Sequence, residues 1–263
     1  MNTVDPRVVV VTGACGAIGA AIANAFAAAG ARLALCDLRR GEIEGLGAEL
    51  HAAGADVYTA VVDVADEGQV RDFCRCVGER FGRIDSLINT VGVIDNAGDV
   101  ESLQSEVWHK SIAVNLTSAF LMAKYSVPLM KGSGGTIVNV SSVSGLANQA
   151  NFMAYSVTKA ALLSLTRSEA IDLARYAIRA VAICPGSVDT PLIESQLQST
   201  AQRLGSTSAQ LRRQWESQYP TGRFSTPQEI AHLTVFLCSD NARNITGSAI
   251  TIDGGLTALL PER

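Results

Sequence analysis

The sequence Thr12-Gly13-Ala14-Cys15-Gly16-Ala17-Ile18-Gly19 joins an apolar strand over residues 7–11 to an alanine-rich helix that reaches about Ala29. A second apolar strand, over residues 32–36, leads to Asp37. This order of strand, glycine turn, helix, strand and acid is typical of a unit that binds a dinucleotide. The spacing therefore predicts a dinucleotide site near the start of the chain.

The three glycines of the turn have different tasks in such a unit. Gly13 permits the tight turn, Gly16 lets the backbone approach the pyrophosphate, and Gly19 allows the helix to pack closely on the sheet. The helix N-terminus offers unpaired N–H groups and the positive end of a dipole to the phosphates. We expect Cys15 to pack there, although a thiol at a helix N-terminus can also be reactive.

Asp37 bears on the choice of cofactor. It follows the glycines at the distance at which a carboxylate accepts hydrogen bonds from the adenosine ribose, and it repels a 2′-phosphate. Asp37 therefore favours NAD over NADP. Arg39 and Arg40 come directly after it, and either can turn towards a phosphate. The sequence leaves NADP open as the less favoured cofactor.

A phenol, an amine and a hydroxyl that could act together occur in the middle of the chain. Tyr155 and Lys159 are four residues apart at the start of an apolar helical run, and Ser142 follows the strand over residues 136–140. Positions i and i+4 share a helix face, so we expect Lys159 to lower the pKa of the phenol. A fall of about 3 units requires roughly 4 kcal/mol of preferential stabilisation of the phenolate. A Tyr and a Lys also fall four apart by chance in many surface helices.

Strands and helices alternate along the rest of the chain, without a linker or an internal repeat. Repeated strand–helix units predict an α/β fold, a doubly wound, mainly parallel seven-stranded sheet with helices on both faces, in a single domain over residues 1–263. The ligand crevice of such a sheet lies at the carboxyl ends of its strands. We expect the long helix over residues 105–130 to be interrupted near Asn115.

These motifs together resemble the short-chain dehydrogenase/reductase family in its single-domain form, over nearly the whole chain. The resemblance implies a Rossmann fold and a catalytic tetrad of Asn115, Ser142, Tyr155 and Lys159. It also implies cofactor contacts at Gly13, Cys15, Gly16, Ile18, Gly19, Asp37, Asp63, Val64, Asn89, Val91, Tyr155, Lys159, Pro185, Val188 and Thr190. Ala17 and Thr90 depart from the family pattern, which has a glycine and a second asparagine at these positions.

The resemblance implies an oxidoreductase that transfers a hydride between NAD(H) and a secondary alcohol or ketone. Tyr155 is expected to take the hydroxyl proton, Ser142 to hold the substrate oxygen and Asn115 to hold a water of a proton relay. The polar segment over residues 190–219 is expected to form a helical lid over a small apolar or cyclic hydroxy compound. An NADPH-dependent ketoreductase and a non-catalytic, NAD-responsive binding protein stay open as alternatives.

Composition restricts the partners. The formal net charge is −4 and there is no basic field, so we expect no nucleic acid partner. Residues 8–31 carry no charge, but glycines interrupt them and buried parallel strands are apolar on all sides, so we expect no membrane contact. The six scattered cysteines suit reduced thiols, no metal site and a cytoplasmic location. The family resemblance implies a homo-oligomer, usually a tetramer.

Overall fold

Seven parallel strands form one sheet in the computed structural model, which describes residues 6–94 and 98–259. Their order across the sheet is β3-β2-β1-β4-β5-β6-β7. In chain order the strands are Val8–Thr12 (β1), Arg32–Asp37 (β2), Val57–Val61 (β3), Ser86–Asn89 (β4), Gly135–Val140 (β5), Ile178–Pro185 (β6) and Ala249–Ile252 (β7). The predicted doubly wound α/β sheet in a single domain is confirmed.

Helices cover both faces of this sheet. In the described ranges the α-helices are Ala17–Ala28 (α1), Arg40–Ala52 (α2), Glu67–Phe81 (α3), Ser105–Ile112 (α4), Ser118–Met130 (α5), Met153–Leu173 (α6), Pro191–Leu204 (α7), Ser208–Glu216 (α8) and Pro227–Cys238 (α9). One apolar core lies between the sheet and α1, α2 and α9. The other lies between the sheet and α3, α5 and α6.

The central strand β1 shows why these strands are apolar throughout. Val8 and Val10 point into the core on the α3 side, whereas Val9 and Val11 point into the core on the α1 side. All four side chains are fully buried. Successive residues of a strand face opposite sides of the sheet, so a strand covered on both faces needs apolar residues at every position.

The helical stretch Ser105–Met130 is interrupted at Asn115, as predicted. A π-helical turn, Ala113–Thr117, separates α4 from α5, and Ser118 Oγ donates to the carbonyl oxygen of Val114 at 2.6 Å. By length and composition alone this stretch also suits a membrane span. In the folded chain α4 packs against α6 and α5 packs against α3.

A buried polar chain ties β4 and β5 to α6. Asn89 Nδ2 donates to Asn139 Oδ1 at 2.8 Å, and Asn139 Nδ2 donates to Glu169 Oε2 at 2.8 Å and to Thr166 Oγ1 at 3.0 Å. Burial raises the pKa of the Glu169 carboxyl to about 7. These bonds fix the carboxyl ends of the two strands on the side from which α6 approaches.

The segment predicted as a lid forms two helices, α7 and α8, after β6. They enclose a small apolar core of their own, separate from the two cores on the sheet. Its buried members are Leu197, Ala201, Leu211, Tyr219 and Phe224. The pair of helices is therefore a compact unit that lies beside the carboxyl ends of the strands.

Candidate active site

A cavity of about 620 Å³ opens at the carboxyl ends of the strands and runs from the glycine turn after β1 to α7 and α8. A volume of this order suits a small-molecule ligand. Of the predicted site residues, the cavity is lined by Gly13, Cys15, Gly16, Ile18, Gly19, Ser142, Tyr155, Lys159, Pro185, Val188 and Thr190. The fold therefore brings the glycine turn, the Ser142–Tyr155–Lys159 group and the segment after β6 to one place.

The glycine turn forms a cradle that fits a pyrophosphate. Gly13 adopts a φ of +61°, and a Cβ at Gly19 would lie only 2.3 Å from the carbonyl oxygen of Gly13. A Cβ at Gly16 would meet that same oxygen at 3.3 Å and, beyond its chain neighbours, no other atom of the described residues within 4 Å. No side chain caps the N-terminus of α1, which leaves its first N–H groups for an anion in the cavity.

Asp37 lies at the end of β2, but its carboxylate is already engaged by protein groups. Arg39 donates from Nε to Oδ1 at 3.0 Å and from Nη2 to Oδ2 at 3.2 Å, and the N–H of Cys15 donates to Oδ2 at 3.0 Å. Burial acts to raise the pKa of Asp37, but the hydrogen bonds from Arg39 and Cys15 outweigh it and lower the pKa. Arg39, and not Asp37, lines the cavity.

The thiol of Cys15 is not activated by its position in the turn. Burial raises its pKa to about 11, and the negative charge of Asp37 adds to this effect. The thiolate is the nucleophilic form of cysteine. The packing role expected for Cys15 therefore agrees with its surroundings, and the reactive alternative does not.

Six of the predicted residues do not line the cavity, and each supports a neighbouring element instead: Asp37, Asp63, Val64, Asn89, Val91 and Asn115. Asp63 accepts a hydrogen bond from the N–H of Ala65 at 2.9 Å, which shapes the turn after β3. Val64 is buried in the core on the α3 side. Val91 packs against Gly13, since a Cβ added at Gly13 would lie 3.0 Å from Val91 Cγ2.

Tyr155, Lys159 and Ser142 meet where the end of β5 passes beneath the start of α6. Lys159 Nζ lies 5.6 Å from the centroid of the Tyr155 ring and donates to the carbonyl oxygen of Val140 at 2.9 Å. The side chain of Ser142 forms a hydrogen bond with that of Tyr155. Gly92 makes room for the amine, since a Cβ there would lie 3.2 Å from Lys159 Nζ.

Burial controls the ionisation of this group. It raises the pKa of the Tyr155 phenol above its ordinary value, and the hydrogen bond with Ser142 only partly offsets this. Burial also lowers the pKa of Lys159 to about 8. The prediction that Lys159 by itself lowers the phenol pKa is therefore wrong for this arrangement. The amine lies over the ring and points towards Val140, so its charge is not held against the phenol oxygen.

Asn115 acts on the loop after β4. Its Oδ1 accepts from the N–H of Val93 at 2.7 Å, while its Nδ2 donates to the carbonyl oxygen of Val93 at 3.0 Å and to Thr158 Oγ1 at 3.2 Å. The amide thus joins the π-helical turn, the loop and α6. Its predicted role in a proton relay stays a prediction.

Comparison with known proteins agrees with this geometry. The sequence model of a family described as Enoyl-(Acyl carrier protein) reductase matches residues 13–257. The chain belongs to the short-chain dehydrogenase/reductase family. It is therefore an oxidoreductase of a family that binds a nicotinamide dinucleotide.

Relatives of this short-chain dehydrogenase/reductase span its full length. The trans-4-hydroxycyclohexanecarboxylate dehydrogenase of Sinomonas cyclohexanicum is 36% identical over 98% of this chain and 95% of its own. The levodione reductase of Leifsonia aquatica is 34% identical over 96% of this chain and 94% of its own. The crystal structure of an actinorhodin polyketide ketoreductase variant with NADPH has a TM-score of 0.92 and 28% identity, and the match covers 98% of this chain and 100% of the ketoreductase.

The two departures from the family pattern are accommodated locally. Thr90, which replaces the second asparagine, donates from Oγ1 to the carbonyl oxygen of Thr12 at 2.5 Å, and its backbone N–H donates to Thr12 Oγ1 at 3.2 Å. It thereby ties the end of β4 to the end of β1. Ala17 is the first residue of α1, and its methyl lines the cavity.

Sequence reasoning missed several cavity residues in this short-chain dehydrogenase/reductase. They include Thr90, Gly92, Ile94, Gln149, Gln196, Gln218, Tyr219 and Leu256. Gly92 carried a usable signal, because a glycine just after a strand often marks a close approach of other atoms. Gln149 and Gln218 are exposed and lie outside the helices, where no periodic pattern indicates which way a side chain points, and Gln196 is a polar, half-buried residue of α7.

Two glycine variants separate folding from cofactor binding. Gly16→Ala is expected to leave the melting temperature near that of the wild type but to weaken NADH binding about tenfold or more, because its methyl projects where a phosphate would approach. Gly19→Ala is expected to destabilise the fold by about 1–3 kcal/mol, because its methyl meets the Gly13 carbonyl. Thermal unfolding and fluorescence titration with NADH measure the two effects. Wild-type affinity in Gly16→Ala would contradict the placement of the cofactor.

Proposed function

We propose that this short-chain dehydrogenase/reductase transfers a hydride between NAD(H) and a secondary alcohol or ketone. The observation that carries the proposal is the convergence of Tyr155, Ser142 and Lys159 in the same cavity as the glycine turn. A hydroxyl donor, a phenol and an amine at one point are the groups that proton transfer to or from a carbinol oxygen requires.

In the oxidative direction the phenolate of Tyr155 accepts the proton of the substrate hydroxyl. Ser142 donates a hydrogen bond to the substrate oxygen and stabilises the charge that develops on it. Lys159 holds its amine 5.6 Å from the centroid of the Tyr155 ring and supplies a positive charge to the same region. When bound, the oxidised nicotinamide supplies the hydride acceptor and a second positive charge.

The ionisation of Tyr155 depends on these charges together. Burial alone keeps the phenol protonated at neutral pH, and the pKa of Lys159, at about 8, leaves most of its amine protonated at pH 7. The positive charge of a bound oxidised cofactor would favour the phenolate further. We infer that the phenol becomes a competent base only in the complex with oxidised cofactor.

NAD is the cofactor we propose, with Arg39 as the residue that decides how strongly NADP is rejected. Asp37 disfavours a 2′-phosphate, but Arg39 neutralises this carboxylate and itself faces the cavity. Arg40 faces away and pairs with Glu44 at 3.3 Å. The ketoreductase neighbour that carries NADPH makes an NADPH-dependent reductase the second candidate.

Arg39 and Arg40 form a matched pair for testing cofactor choice. In the wild type the dissociation constant of NAD is expected to be lower than that of NADP. Arg39→Met is expected to raise the NADP constant about tenfold relative to that of NAD, because an arginine–phosphate contact is lost and Asp37 is unmasked. Arg40→Met should leave the ratio unchanged. Tighter binding of NADP by the wild type would overturn the NAD assignment.

The cavity favours an uncharged, apolar or cyclic substrate. Ile94, Phe152, Leu192 and Trp215 give it apolar walls, and among its described lining residues only Arg39 and Lys159 carry charge. One relative is named for trans-4-hydroxycyclohexanecarboxylate, which supports a cyclic hydroxy compound although it carries a carboxylate, and another is named for levodione. The helices α7 and α8 are proposed to close over this substrate as a lid.

We also propose a cytoplasmic location and a homotetrameric assembly. The six free cysteines are compatible with the reducing cytoplasm. The family resemblance supports a homotetramer, and Leu256, at the start of an apolar tail, lies in the described part of the chain whereas Leu260 lies outside it.

Tyr155→Phe tests the reaction directly. The variant should bind NADH almost as the wild type does but retain less than about 1% of turnover with secondary alcohols, because it lacks the group that takes the proton. Tyr219→Phe removes another phenol hydroxyl from the same cavity and should cost no more than about tenfold. NADH formation is measured across a panel of hydroxy compounds. Higher turnover in Tyr155→Phe would refute the role of Tyr155.

A wild-type protein that binds NADH and turns over none of the panel would favour the alternative of a non-catalytic, NAD-responsive binding protein. That result and a failure of the Tyr155 assignment are distinct, because the latter requires measurable wild-type turnover.

A further inference from the structure

Arg212 joins separate segments at the mouth of the cavity. From its place in α8 it donates through Nη2 to Asp189 Oδ1 at 2.9 Å and to Glu194 Oε2 at 3.1 Å. Its Nη1 contacts Glu216 Oε1 at 3.5 Å, and its guanidinium lies 5.4 Å from the centroid of the Phe224 ring. One side chain thus contacts the segment after β6, the first turn of α7, its own helix and the loop before α9.

The segment that Arg212 holds is the one that lines the cavity beside Tyr155. Asp189 lies between Val188 and Thr190, both of which face the cavity. Its backbone N–H donates to the carbonyl oxygen of Ser225 at 2.8 Å, and the Ser225 N–H donates to the carbonyl oxygen of Ser187 at 3.1 Å. The backbone here is therefore fixed on one side, while the Asp189 side chain reaches to α8.

The positive charge of Arg212 neutralises a cluster of carboxylates at this place. Three carboxylates surround it, and its side chain is only 27% exposed. Hydrogen bonds to these carboxylates raise its pKa, so it stays charged. Without the guanidinium, Asp189, Glu194 and Glu216 would face one another with no cation between them, and like charges at this separation repel.

The cavity side of the same unit carries Trp215. This residue lies three positions after Arg212 in α8 and, with Leu192 and Ile193 of α7, lines the cavity. Any outward movement of α8 would therefore open the cavity on its apolar side and expose the indole of Trp215 to solvent.

We propose that Arg212 is a positioning residue whose guanidinium holds the α7–α8 lid to the segment Val188–Asp189–Thr190, so that the substrate cover and the nicotinamide-side wall form as one unit. The part of this inference that concerns the substrate rests on the proposed function. The geometric part concerns only the lid and can be measured without turnover. The adjacent Arg213 is exposed and lies in the same helix, which makes it a matched control.

The experiment uses a Trp108→Phe background, in which Trp215 is the remaining tryptophan. Arg212→Met is expected to increase acrylamide quenching of Trp215 about twofold, because the lid opens more often. It is also expected to raise KM for the alcohol about tenfold while kcat changes less than about threefold, because positioning of the substrate is lost and the reacting groups are intact. Arg213→Met should match the background protein in both measurements.

A second substitution identifies the cause. Adding Glu194→Gln to Arg212→Met removes one of the repelling charges. The double variant should therefore show less acrylamide quenching of Trp215 and a lower KM than Arg212→Met alone. If Arg212→Met acted only through lost packing, the added Glu194→Gln substitution would not reverse its effects on quenching and KM. Arg212→Lys should fall between the wild type and Arg212→Met, because an ammonium keeps the charge but not the planar fork.

Two results would overturn the proposal: quenching and KM in Arg212→Met equal to those of the background protein, or equal changes in Arg213→Met. If Arg212→Met does not fold, Arg212→Lys with wild-type quenching and KM would overturn it equally. Absence of turnover in the wild type would remove the proposed function, but the quenching comparison would still decide the role of Arg212.

Discussion

The hydrogen bond from Lys159 Nζ to the carbonyl oxygen of Val140 is the contact on which the rest of the site depends. It joins the first turns of α6 to the last residue of β5, and Ser141 Oγ returns a bond to the Lys159 carbonyl at 2.9 Å. Gly145 permits this approach, because a Cβ there would lie 2.8 Å from the same carbonyl. With strand and helix held together in this way, Tyr155 and Ser142 have little freedom relative to each other.

This close packing has an electrostatic consequence. A phenol and an amine are both buried, and burial opposes the charged form of each, so neither the phenolate nor the ammonium is favoured as strongly as it would be in water. Burial moves the pKa of the phenol further above neutral pH and the pKa of the amine down towards it, and such buried groups respond strongly to any further charge brought beside them. On the proposed function, the positive charge of a bound oxidised cofactor would favour proton transfer from the substrate, so that oxidation would begin only once the hydride acceptor is in place.

Much of the fold and part of the site could be predicted from sequence, because they depend on local patterns. The glycine turn requires a positive φ at Gly13 and a close approach at Gly19, and the pairing of Tyr155 with Lys159 follows from helix periodicity. The direction of long side chains could not be predicted in this way. Arg39 folds back onto Asp37, and Lys159 reaches Val140, through contacts that depend on the whole fold and not on spacing. The Arg212 contacts join residues that are far apart in the chain, so no local pattern indicates them.

The pKa of Tyr155 in the protein with and without NAD⁺ tests the central claim most directly. It is measured by ¹³C NMR of tyrosine labelled at the ring carbon that bears the hydroxyl. Without NAD⁺ we expect a pKa above the ordinary value of tyrosine, because the ring is buried. With NAD⁺ bound we expect a fall of about 2 units or more, because the oxidised cofactor would bring a second positive charge into the cavity that Tyr155 lines. An unchanged pKa on binding, or a phenol already ionised at neutral pH without NAD⁺, would contradict the account.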